Sequence, residues 1–202
     1  VINDEKLKRN LLEDNNKIIE GIERIERIVD SMREMSQKSR EEHSEVNIYQ
    51  TLITSLTMAY NRSKHIAPIM LQDNLFTPEI NSKLHECYVV AQHQRLEQAW
   101  IIIINNALDI LNQNGSYASN EFKIQYTVNE SNVIIEFTDN GGGIDESVLN
   151  TLFEPFVSTK EHGGIGIGLN IAKKIIYDHQ GKIRAYNRNA GAVIEVTLPA
   201  VK

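Results

Sequence analysis

Between Gly163 and Leu169 the chain reads Gly-Gly-Ile-Gly-Ile-Gly-Leu, then passes without a break into the amphipathic stretch Asn170 to Tyr177. Glycines at alternate positions let successive backbone N–H groups converge on an anion, and the helix that follows turns its positive end to the same place. This is the pattern of a phosphate cradle; a flexible hinge is the plainer alternative. The spacing matches neither G-x-G-x-x-G nor a Walker loop, since no Gly-Lys-Ser/Thr occurs.

The flanking pattern shows what such a loop is attached to. Lys123–Val128 and Val133–Thr138 alternate apolar and polar residues around a polar Asn-Glu-Ser-Asn turn, and Lys182–Tyr186 and Ala192–Leu198 repeat the arrangement, so two hairpins are expected. Tyr49–Ser63, Gln92–Leu111 and Leu169–His179 carry helical periodicity, and Val46–Ile48 suits a short strand. Asn74–Ser82, with Pro78, reads as a loop, and residues 140–168 as glycine-rich, irregular chain. This order predicts an α/β fold: a two-layer α/β sandwich with helices covering one face of a mixed, mostly antiparallel sheet.

Ahead of it, from Asp4 to Lys38, there is no proline and only one glycine, Gly21. Leu11, Ile18, Ile22, Ile25, Val29 and Met32 recur at mostly alternating steps of four and three, a heptad seam with charges interleaved on the other faces. A helix with one narrow apolar stripe needs a partner, either a second copy in a dimer or its own domain. The wholly polar stretch from Gln37 to Glu45 joins the two units, so residues 1–40 are expected as a helix and 45–202 as a globular domain.

Composition narrows the function. The 202 residues suffice for one core and an appendage, and 41% apolar with 24% charged is the balance of a folded globular chain. With 21 basic and 27 acidic residues, a net charge of −6 and no dense Lys/Arg cluster, nucleic acid is not an expected partner. Cys87 is the only cysteine, which rules out an internal disulfide and a multi-cysteine zinc site. The longest apolar run, Ile101–Ile104, is far short of the roughly 20 residues that span a bilayer. A cytoplasmic location is therefore expected, with any membrane contact made through regions outside this chain.

Three further segments carry candidate chemistry. Asp139-Asn140-Gly141-Gly142-Gly143-Ile144 follows a strand that puts Val133, Ile135 and Phe137 on one face. Alone it is a turn; with a ligand it is a bare backbone beside a carboxylate that accepts from an amino group. Phe153 to Lys160 describes a lid, with Phe153 and Phe156 expected to anchor it on apolar surface and Lys160 to reach a phosphate. In the helix from Gln98 to Asp109, Asn106 and Asp109 fall three apart on one face, a spacing that suits oxygen ligands of a magnesium ion; a lone Asn in a helix is more often a satisfied polar residue at the edge of a core.

Taken together, these residues resemble the catalytic domain of the sensor histidine kinases, in the ATPase superfamily shared with gyrase, the Hsp90 chaperones and the MutL repair proteins. Asn106-Ala107 is similar to the end of the N box, Asp139-x-Gly141-x-Gly143 to the first glycine box, Phe153–Lys160 to the F box and Gly164-x-Gly166-x-Gly168-Leu169 to the second. The resemblance extends to His179-Gln180-Gly181-Lys182-Ile183 and the closing Thr197-Leu198-Pro199. It implies ATP and Mg2+ as cofactors: Asp139 on the adenine amino group, Asn106 on the metal, and Gly164, Gly166 and Gly168 around the phosphates. Asp109, Ile144, Phe156, Thr159, Lys160 and Leu169 complete the expected cofactor site.

The resemblance also implies a reaction, transfer of the ATP γ-phosphoryl group to a histidine and onward to an aspartate of a response regulator. The N-terminal helix resembles the second helix of the dimerisation domain, implying a homodimer. None of the six histidines has the acidic residue and proline that follow an acceptor, so the acceptor is expected before Val1. The sequence departs from the family pattern at three positions. Ile102 stands where hydrolytic relatives carry the glutamate that activates water, which argues against an ATP hydrolase. Asp109 replaces a common Lys or Arg, and Ala192 a common Thr. A non-catalytic nucleotide-binding module and an anti-sigma-type serine kinase are the alternatives.

Overall fold

The computed structural model of the chain describes residues 42–79, 87–113, 116–157 and 166–201, together with positions 14, 15, 18, 19, 21, 22 and 29 of the N-terminal segment. The chain order is β1 (Ser44–Asn47), α1 (Ile48–Ser63), β2 (Ile69–Leu71), β3 (Asn74–Leu75), β4 (Tyr88–Ala91), α2 (His93–Gln113), β5 (Phe122–Val128), β6 (Asn132–Asp139), α3 (Glu146–Leu149), α4 (Gly168–Asp178), β7 (Lys182–Arg188) and β8 (Gly191–Pro199).

Six strands form one sheet in the order β3-β2-β5-β6-β8-β7, antiparallel throughout except where β2 lies parallel to β5. Helices α1, α2 and α4 pack side by side on one face of it, so the expected two-layer sandwich stands. The period of two puts Val133, Ile135 and Phe137 of β6 inward, opposite Leu198, Val196 and Ile194 of β8. Against them α2 lays Leu96, Trp100, Ile103, Ile104, Ala107, Leu108 and Leu111, one stripe of a 3.6-residue repeat, with the rings of Trp100 and Phe137 5.6 Å apart. Trp100 would bury an indole N–H without a partner; Thr51 of α1 accepts it at 2.9 Å.

Three short strands depart from the sequence expectation. Ile69–Leu71 pairs with β5, Asn74–Leu75 turns back on it where a loop was expected, and Tyr88–Ala91 pairs with Ser44–Asn47 in a separate two-stranded sheet. Most of the N-terminal seam lies outside the described residues. Of its positions that are described, Ile18, Ile22 and Val29 are helical and between 52% and 61% exposed.

Candidate nucleotide site

The two glycine segments start from neighbouring parts of the sandwich. Asp139 ends β6, and its Oδ1 accepts from the Gly141 N–H at 2.8 Å and, at 3.5 Å, from the Ala192 N–H of β8. Its Oδ2 has no partner among the described residues, which leaves one lone-pair face for a donor. Burial pushes this carboxyl above the ordinary aspartate range, outweighing the two N–H groups that lower it. A half-buried carboxylate with one oxygen fixed and the other open is suited to accept from an amino group on a flat ligand.

Close packing by glycine makes the arrangement possible. A Cβ on Gly191 would lie 1.7 Å from the Asp139 carbonyl oxygen, so only glycine lets β8 start against the end of β6. Gly142 and Gly143 take φ of +95° and +82°, turning the loop away from the strand. Asn140, invisible as a functional position in the sequence, ties the loop to the segment just before β5: its Oδ1 accepts from the Glu121 N–H at 2.9 Å and its Nδ2 donates to the Ser119 carbonyl at 2.8 Å. Asn187 of β7 holds the far end, accepting from the Ile144 N–H at 2.7 Å and donating to the Ile144 carbonyl at 2.8 Å.

The second glycine segment enters the described residues at Gly166, at φ +72°, where a Cβ would fall 2.4 Å from the Val157 carbonyl oxygen. Phe156 donates its N–H to the Gly166 carbonyl at 2.9 Å, so the chain on the two sides of residues 158–165 meets at one point. Asn170 and Lys173 of α4 hold the turn segment that precedes Phe156, through the Phe153 carbonyl at 2.9 Å and Glu154 at 3.1 Å. The lid residues Thr159 and Lys160 and the cradle glycines Gly163 and Gly164 lie outside the described residues. Of the two expected anchors, Phe153 packs on the core, whereas Phe156 is 64% exposed at φ +68°: the bond to Gly166 fixes its backbone and turns its ring outward.

Helix α4 begins at Gly168 with buried Ile167 as its N-cap and no side-chain cap, so its first N–H groups have no side-chain acceptor. Leu169 packs partly on the core behind them. A Cβ on Gly168 would stand 3.4 Å from Ile102 Cγ2, which puts the start of α4 directly over Ile102 of α2. One turn further along the same face, Asn106 is half-buried and its amide makes no hydrogen bond among the described residues. Asp109 is differently occupied. Arg62 at the end of α1 forms an ion pair with it and donates to Asn105 Oδ1 at 2.8 Å, clamping α1 to α2.

Residues 91–202 match the family described as "Histidine kinase-, DNA gyrase B-, and HSP90-like ATPase". The chain belongs to that family. Among curated relatives, Sporulation kinase E of Bacillus subtilis (strain 168) is 35% identical over 112 residues, which is 55% of this chain and 14% of that protein. The chain therefore spans about a seventh of the length of that relative. Among solved structures, the catalytic domain of histidine kinase ThkA superposes with a TM-score of 0.64 at 27% identity, covering 78% of this chain and 95% of that one. Histidine kinase ThkA in complex with the response regulator TrrA gives 0.69 at 26% identity, over 92% of this chain and 50% of that one. Fold, motif order and relatives agree on the nucleotide-binding catalytic domain of a sensor histidine kinase. No helix among the described residues is long and apolar enough to cross a membrane.

Proposed function

We propose that this domain binds Mg-ATP and directs the γ-phosphoryl group to a histidine on another segment of the intact kinase, for relay to a response regulator. The observation that carries the reading is the Asp139 carboxylate, half-buried with Oδ1 fixed by two backbone N–H groups and Oδ2 open. Asp139 accepts the adenine amino protons. The uncapped start of α4 and the glycines before it take the phosphates. Asn106, whose amide has no other partner among the described residues, holds the metal. Bound Mg-ATP supplies the transferable phosphoryl group and most of the charge neutralisation. The protein's part is positioning.

Ile102 keeps a carboxylate away from the phosphates, which favours transfer to an external nucleophile over hydrolysis. Asp109 belongs to the Arg62 clamp, and we assign it to positioning α2 rather than to ligand contact. The exposed Ile18, Ile22 and Val29 support a second copy of the N-terminal helix as their partner, hence a homodimer in the intact protein. The test supplies a separate helical segment bearing the acceptor histidine, with γ-labelled ATP and magnesium. The reading expects an acid-labile, base-stable phosphoprotein on that segment. Labelling confined to acid-stable serine, or none at all, contradicts it.

A further inference from the structure

We propose that Asn187 is a positioning residue for base recognition: it sets the height of the Gly143-Ile144 floor relative to Asp139 and so governs discrimination for the adenine amino group. The proposal rests on the reading of Asp139 as the acceptor of that amino group.

The loop from Asp139 to Ile144 is fixed at both ends by different means. At its start, the Asp139 carboxylate and the Asn140 side chain tie it to β8 and to the segment just before β5. In its middle, Gly142 donates to the Ala190 carbonyl at 3.0 Å. At its end, every polar backbone group of Ile144 is engaged by one side chain, the Asn187 amide, in a pair of bonds of 2.7 and 2.8 Å. That pair reproduces what a β-bridge would supply, at a place where β6 has already ended and α3 has not begun. Gly143 lies directly on the same amide, since a Cβ there would be 3.0 Å from Asn187 Oδ1. The amide thus bears on two successive residues of the floor and makes no hydrogen bond to Asp139 or to the start of α4 among the described residues. Asn187 itself is held by the β7–β8 pairing, opposite Ala192, whose N–H points to the Asp139 carboxylate. One hairpin therefore orients both the acceptor and the floor.

A side-chain amide holds an acceptor oxygen and a donor nitrogen side by side in one plane, which lets it accept from the N–H and donate to the C=O of one residue at once. Asn187→Ala removes both bonds. Asn187→Asp keeps the acceptor and sets a carboxylate oxygen against the Ile144 carbonyl.

The experiment measures binding of ATP and of inosine triphosphate, which has a carbonyl in place of the amino group, to the whole chain and to Asn187→Ala, Asn187→Asp and Asn187→Ser. All titrations are run well below each variant's melting temperature. Wild type is expected to prefer ATP. Both Asn187→Ala and Asn187→Asp are expected to lose roughly three- to tenfold of that preference, mainly through weaker ATP binding, while inosine triphosphate binding stays within about twofold. Asn187→Ser, which keeps one bond, falls between, and it serves as the test if the other variants do not fold. Loss of affinity for both nucleotides alike, or an unchanged ratio, overturns the proposal and leaves the reading of Asp139 standing. A wild-type protein that binds both nucleotides equally overturns that reading, and the proposal with it.

Discussion

Substituting Gly191 by alanine tests the geometry of the site where it is tightest. The added Cβ would sit 1.7 Å from the Asp139 carbonyl oxygen and 2.6 Å from the carbon that bears it. To reach even 3.0 Å, β8 or β6 has to yield by about 1.3 Å, and the atom in the way is backbone at the point where β6 ends and β8 begins. A displacement of that size stretches the Ala192 N–H, already 3.5 Å from Asp139 Oδ1, beyond hydrogen-bonding distance. Overpacking of this kind costs about 1–3 kcal/mol, and losing a hydrogen bond to a charged group can add ~1.5 kcal/mol or more. Urea denaturation should show a lower midpoint with an unchanged slope, and calorimetric titration should show ATP affinity reduced roughly tenfold. A Gly191→Ala protein with wild-type stability and wild-type ATP affinity would refute the account of how β8 supports Asp139.

Two further outcomes follow from the same structure. The His179 ring is buried and neutral, donating from Nδ1 to the Ile175 carbonyl at 2.7 Å and accepting the Gln92 N–H on Nε2 at 2.9 Å, and burial depresses its pKa below the ordinary 6.5, with His43 and Arg95 lowering it further and the Ile175 hydrogen bond and Asp178 opposing them. A depressed histidine contributes stability that is complete above 6.5 and is lost as the pH falls from there toward the folded value, so denaturation midpoints at pH 8 and pH 5.5 should differ less in His179→Gln than in wild type; equal differences would contradict this. Ile22→Asp should weaken self-association in sedimentation experiments and leave ATP titrations unchanged, because Ile22 is 52% exposed in this structure; coupled loss of ATP binding would count against a separate helical unit.

Local periodicity made much of the fold legible. The hairpins β5–β6 and β7–β8 announce themselves by alternation, and α2 by a stripe running from Leu96 to Leu111. What stayed hidden depends on partners distant in sequence. Ile69–Leu71 is too short to show a period and becomes a strand only because β5, about 50 residues on, accepts it in parallel. Tyr88–Ala91 likewise needs Ser44–Asn47.

In the site, Asp139, Gly141, Gly143, Gly166 and Gly168 could be named as candidates from the order of the motifs, although the Asp-Asn-Gly-Gly run alone reads as a turn. Asn187 could not, for its role comes from a clasp 43 residues away. Nor could the engagement of Asp109, whose partner Arg62 sits 47 residues earlier on another helix. Phe156 misled because an aromatic residue in a polar stretch suggests an anchor, whereas here its backbone does the anchoring and its ring faces solvent.

The central claim is that Asp139 recognises the nucleotide through its open oxygen, and calorimetric titration of Mg-ATP into wild type and Asp139→Asn tests it most directly. Asparagine keeps the shape but loses the charge, and its Oδ1 and Nδ2 cannot satisfy both the Gly141 N–H and an incoming amino group. A hydrogen bond to a charged acceptor is worth about 1.5–3 kcal/mol. The account therefore predicts an ATP affinity lowered roughly tenfold to a hundredfold in a variant that still folds. Undiminished ATP binding by Asp139→Asn would contradict it.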